Sequence, residues 1–229
     1  MADINDLLRE LNGYLSGVTT SYGSSSAPWD VYEGYIFALI VAEALDCGGT
    51  VRYETVQGQR TTRLVFRTNP GQIYSTTHAY THAVITFGQV APPLEVHIGV
   101  QVQGNSGVVH ECDVLVLEKD EADLCRSGRV APRSKSCALA MECKFYTTSH
   151  LSLGLARGFQ GLVSDLASNA RPTFVANIST PSVRRYFGHK NRHWEDEAVP
   201  GSRSIPNLRS KIRDAFKFYL SKYDPRFPI

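Results

Sequence analysis

Asp113 lies within HECDVLVLEK, and Glu142 and Lys144 lie within ALAMECKFY, two segments otherwise apolar and rich in β-forming residues. An unpaired charge is costly to bury, so charges on such strands gather at a metal, a partner or a cleft. Alternation places Glu111, Asp113, Leu115 and Leu117 on one face of the first strand and Cys112, Val114 and Val116 on the other. On the second, Ala138, Ala140, Glu142 and Lys144 share a face opposite Leu139, Met141 and Cys143. Two carboxylates and one ammonium can thus converge, with small Ala140 leaving room beside them. Hard divalent cations take oxygen ligands of this kind together with waters and phosphate oxygens. A lysine two residues beyond a ligand is placed to hold a water or a phosphate. The backbone carbonyl of Cys143 is a further candidate ligand, since its direction is independent of its side chain.

Periodicity and punctuation give the elements that must position these groups. Residues 3–16 read as an amphipathic helix with Ile4, Leu7, Leu8, Leu11 and Leu15 on one side, and SYGSSSAP follows as a loop. A second helix runs over about 31–46, capped by Asp30 and stopped by Gly48 and Gly49. Glu33 lines up on it with Ile36, Phe37, Ile40 and Ala44, whereas Glu43 lies nearer the edge as a partly exposed acid. Strands are expected at 51–56 and 62–67 as a hairpin, at 83–87, and at 94–102 and 112–117 as a hairpin turned at GNSG. The charged, aperiodic segment 118–136 reads as an exposed excursion. A strand at 139–145, a helix of about 152–169 and a buried strand at 173–178 follow. A polar, basic stretch 184–206 precedes a last helix of about 207–222, with Leu208, Ile212, Phe216 and Leu220 inward and Arg209, Arg213 and Lys217 exposed. A strand-helix-strand step from 139 to 178 implies a right-handed crossover and a parallel pair in a mixed sheet, hence an α/β sandwich.

Composition narrows the classes of activity. No stretch reaches the roughly 20 apolar residues that span a bilayer, and the acidic N-terminal segment MADINDLLRELNGYL is unlike a signal peptide. Five cysteines without CxxC spacing argue against a disulfide framework or structural zinc and fit reduced thiols in the cytoplasm. Charge is lopsided: residues 1–144 carry 11 Lys+Arg against 16 Asp+Glu, a net of −5, and residues 145–229 carry 13 against 6, a net of +7. A basic region beside an acidic site suits a polyanion. Arg184, Arg185, Lys190 and Arg192, interleaved with Tyr186, Phe187 and Trp194, are the candidate nucleic-acid contacts, the alternative being a solvated loop with core aromatics. There is no Walker sequence, GxGxxG, GxSxG or HExxH.

In its Glu33 helix, HECDVLVL, MECK, and the helix and strand beyond, the chain resembles the PD-(D/E)XK nuclease superfamily over roughly residues 30–180. The resemblance implies a restriction-endonuclease-like sandwich, a central mixed β-sheet flanked by helices with an αβββαβ core. It fits a single domain of residues 1–229 with a basic C-terminal extension of about 181–229. It implies an endonuclease using Mg²⁺ (or Mn²⁺), of restriction, defence or repair type, acting on DNA in preference to RNA as a homodimer. Asp113 and Glu142 would ligate metal with the Cys143 carbonyl, Lys144 would be catalytic, and Glu33 would support a metal or its water. Two departures stand out. Cys112 occupies the place of the motif's proline, and Gln160 matches a glutamine of some members while Ser164 stands where they carry tyrosine. A non-catalytic nucleic-acid-binding or assembly subunit and an RNA-cleaving toxin nuclease fit the same residues.

Overall fold

The computed structural model describes residues 3–147, 151–190 and 193–226. Its strands are β1 (Thr19–Thr20), β2 (Thr50–Thr55), β3 (Arg63–Leu64), β4 (Thr81–Thr86), β5 (Leu94–Gln103), β6 (Val109–Glu118), β7 (Cys137–Lys144), β8 (Thr173–Ala176) and β9 (His193–Glu195). Its α-helices are α1 (Ile4–Tyr14), α2 (Pro28–Asp46), α3 (Lys119–Gly128), α4 (Leu153–Asp165), α5 (Pro181–Lys190) and α6 (Ser204–Ser221). The central sheet is ordered β2-β4-β5-β6-β7-β8-β9. Neighbours from β2 to β7 are antiparallel, and β7-β8-β9 are parallel. The chain is thus α/β, with a mostly antiparallel mixed sheet and flanking helices, and α4 is the expected crossover from β7 to β8. Among the described residues, no helix is long and apolar enough to cross a membrane.

α2 is the helix around which one side of the molecule is built. Pro28 suits its first turn, where no backbone donor is required. The helix therefore starts upstream of the expected residue 31, with Ala27 as N-cap, and Asp30 is buried inside the first turn instead of capping it. Almost every position from Asp30 to Ala44 is buried, between the sheet and the helices α1 and α6. Glu43 is consequently buried outright, not partly exposed. Arg209 Nε lies 2.5 Å from its Oε1 and Arg213 Nη2 lies 3.0 Å from its Oε2. The two arginines stand one turn apart on α6 and both reach back to Glu43; Arg209 is thereby largely covered, contrary to the expectation that it faces solvent, while Arg213 keeps 43 % of its side chain exposed.

Three other expectations are corrected. β2 does not form a hairpin with 62–67; it pairs with β4, while β3 pairs with β1 and only an isolated bridge joins Glu54 to Arg60. Leu64 and Phe66 are drawn into the core, where Phe66 meets Tyr22 at 5.1 Å between ring centroids. The excursion at 118–136 contains α3, which buries Glu121, Ala122 and Cys125. Its pattern was hidden because one inward residue is an acid, neutralised by Arg133 through Nε at 2.8 Å. The basic stretch 184–206 carries α5 and β9, and β9 extends the central sheet.

Gly99 and Asp113 mark an inversion of both central strands. Leu94, Val96 and Ile98 pack with Val114 and Val116 in the core that holds α2. Val100, Val102 and Cys112 instead pack with Leu115, Leu117 and Ala140 in a second core. Register is kept across this change, since Ile98 pairs with Val114 and Val100 with Cys112. Cys112 therefore does not share the side of Val114 and Val116, as strict alternation would require. Gly99 has φ +62°, and a Cβ there would stand 3.2 Å from the Cβ of Arg67, so only glycine allows the backbone at 67–71 to lie this close. That backbone is fastened to the strand by Gly71 N donating to Gly99 O at 2.9 Å.

Candidate active site

Where the two strands part, Asp113 replaces backbone pairing with its side chain. The β6–β7 register ends at Val114 and Met141. Beyond it, the buried Asp113 carboxylate accepts the Cys143 N–H at 2.7 Å and the Lys144 ammonium at 3.1 Å, both through Oδ2. Lys144 Nζ also lies 2.7 Å from Glu142 Oε1. The N–H and C=O of an extended residue share one edge of its strand, so the Cys143 carbonyl faces the side of Asp113. The Lys144 carbonyl faces β8 and accepts from Asn177 N at 3.1 Å. Asp113, Glu142, Lys144 and Cys143 are thus brought together as expected from their spacing.

Glu33 on α2 joins them electrostatically. Burial, then the nearby Asp113 and Asp30, pushes its carboxyl up to about 9 despite the pull of Lys144. Burial and Asp113 likewise raise Glu142, and burial, Asp113 and Glu142 raise Glu111. Burial works against the Lys144 ammonium, yet Asp113 and Glu142 outweigh it and hold the group above the ordinary lysine range. Asp113 and Glu142 thus hold the ammonium directly, and Glu33 and the exposed Glu111 lie within its field. Such a group of hard oxygen donors fits a divalent cation such as Mg²⁺ or Mn²⁺. Asp113, Glu142, Glu33 and the Cys143 carbonyl are the groups that would hold it.

The raised Glu33 has a consequence for metal-free protein. The folded state binds its proton more tightly than the unfolded chain, whose glutamates titrate near about 4.3. By linkage its stabilising contribution is complete below that value and is lost as pH rises through about 9. Melting temperatures of the metal-free protein should fall between pH 6 and pH 9 (standard melts), and the fall should be shallower in Glu33→Gln. Mg²⁺ should raise the melting temperature more at pH 9 than at pH 6; an equal effect at both would contradict this placement of Glu33.

The basic candidates divide. Arg184 is committed, with Nε 2.6 Å from Asp196 Oδ2 and Nη2 3.3 Å from Glu197 Oε2. Arg185 and Lys190 are exposed on α5, and Arg192 lies outside the described residues. Phe187 is fully buried among Phe159, Phe174 and Trp194, so the aromatic residues here build a small core under α5. Gln160 is half-buried on α4. His110 lies 2.6 Å from Asp165 Oδ2, and Ser106 donates to the same carboxylate, tying the β5–β6 turn to the end of α4.

One cluster was not expected from the sequence. His82 and His97 stack at 4.7 Å between ring centroids, with Glu95 against them. Their candidate ligand atoms lie within 4.8 Å of one another. His97 Nε2 is 2.9 Å and His82 Nε2 3.3 Å from the Glu95 carboxylate. Two cations already occupy that carboxylate: Arg126 donates at 2.8 and 2.6 Å and Lys119 at 3.3 Å. Burial lowers His97 to about 3, so its ring is neutral. A metal would face two positive groups here, and the cluster is better described as a buried ion network beneath α3. The cross-strand pairing of β4 with β5 was the available signal. No protein-family model, curated protein or solved structure matches the chain, and its functional reading rests on its own residues.

Proposed function

We propose that this protein is a metal-dependent nuclease that hydrolyses phosphodiester bonds in nucleic acid, with DNA preferred. The observation that carries this reading is Asp113 holding both the Cys143 N–H and the Lys144 ammonium, with Glu142 on the same ammonium and Glu33 within the field of the group. The order α2, β5-β6-β7, α4 and parallel β8 supports the restriction-endonuclease-like arrangement that the motif resembles. Asp113 and Glu142, with Glu33 and the Cys143 carbonyl, would bind Mg²⁺ or Mn²⁺. Bound there, the ion would supply a water of lowered pKa and offset charge developing on the phosphate oxygens. Lys144 stays protonated, so it serves to hold a phosphate oxygen or orient the attacking water and not to abstract a proton. Asp113 anchors Lys144 and Cys143 together and so fixes the spacing of the remaining groups.

Plasmid, linear single strands and structured RNA, incubated with Mg²⁺, Mn²⁺ or EDTA, test the proposal. Cutting should require the metal and vanish in Asp113→Ala, which should also lose metal binding by calorimetry. Binding without cutting in any metal would leave only a nucleic-acid-binding subunit.

A further inference from the structure

We propose that Trp29 is a stacking platform for an unpaired nucleobase beside the cutting site, which makes single-stranded or locally opened nucleic acid the substrate class. The inference rests on the nuclease reading and extends it to how the strand is held. Trp29 is 57 % exposed at the start of a helix whose positions from Asp30 to Ala44 are otherwise almost all buried. The other tryptophan, Trp194, packs on Phe187 at 5.7 Å, so Trp29 is the tryptophan that core packing does not explain.

Its place on α2 gives the exposure a meaning. Trp29 and Glu33 are one turn apart and share a side of the helix, about 6 Å apart along its axis. Side chains lean toward the helix N-terminus, so the Glu33 side chain leans toward the turn that bears Trp29. Tyr32, in the same part of the helix, packs on Phe145 at 5.3 Å between ring centroids, so the start of α2 lies against the residue that follows Lys144. The exposed indole therefore sits at the end of α2 that meets the β7 end bearing Glu142 and Lys144. A phosphate held at that group would carry its neighbouring base to the ring. Aromatic residues stack bases regardless of sequence, but only a base free of its partner offers a face. A fully paired duplex presents none, which is why the platform selects for unpaired strand at the cut.

The Lys144→Ala chain in Mg²⁺, in which cutting is slowed about 10²- to 10³-fold, provides the test background for short titrations. Fluorescence titration with a thymidine oligonucleotide should quench the tryptophan emission, and a duplex of the same length should bind more weakly. Adding Trp29→Ala should weaken single-strand binding roughly 5- to 150-fold, and Trp29→Phe should recover most of it, with unchanged melting temperatures for both. Equal affinity with and without Trp29, or equal binding of strand and duplex, overturns the platform and leaves the nuclease reading standing. Failure of the wild-type chain to bind any nucleic acid overturns both. Trp29-dependent binding by a wild-type chain that cuts nothing would uphold the platform and remove the nuclease.

Discussion

Replacing Lys144 by alanine is expected to lower the rate of metal-dependent cleavage about 10²- to 10³-fold, the range found when one preorganised donor to developing charge is removed. The loss should fall on kcat and not on strand binding, because the basic and aromatic contacts lie elsewhere. Lys144 is suited to this role because its ammonium is fixed at two points, 3.1 Å from Asp113 and 2.7 Å from Glu142. It pays no reorganisation when charge develops at a phosphate. The same substitution leaves the buried Asp113 and the half-buried Glu142 without their cation, so the metal-free variant should also melt below the wild type. Mg²⁺ should then raise the melting temperature of Lys144→Ala more than that of wild type. Single-turnover cleavage and paired melts with and without Mg²⁺ check both parts; a variant that cuts at the wild-type rate would remove Lys144 from the chemistry.

Glu95→Gln should cost about 3–5 kcal/mol of stability, the penalty for breaking a buried ion pair from one side. At about 2–4 °C per kcal/mol for a chain of this size, the melting temperature should drop by roughly 6–20 °C. Glu95 has no solvent exposure, and burial opposes its ionisation, yet His82, His97 and Arg126 outweigh that and keep its pKa well below the usual carboxylate range. Without its charge, Arg126 keeps only Asp123, a half-exposed partner at 2.6 Å. Urea unfolding measures the loss, and a joint Glu95→Leu, Arg126→Met replacement should recover much of it. Zinc and chelators should leave the wild-type melting temperature unchanged. A zinc-dependent rise would mean that the two histidines and Glu95 hold a metal after all.

Legibility followed the distance over which each feature is encoded. Asp113, Glu142 and Lys144 were visible because three charges interrupt two apolar runs. Their exact sides were not, since alternation assumes a regular strand and both strands invert at Gly99 and Asp113. Gly99 inside HIGVQV was the local hint. α3 was missed because Glu121 occupies an inward position that a hydrophobic pattern cannot report, its counter-charge coming from Arg133 twelve residues later. Glu43 failed for the same reason at longer range, its partners lying on α6. Charges that are buried and paired read as surface until the pairing is known.

The grip of Arg209 and Arg213 on Glu43 also sets an order in time. During synthesis α2 leaves the ribosome early and α6 much later, and until residues 204–221 emerge the Glu43 carboxylate has no counter-ion. The side of α2 that α6 covers stays bare through that interval.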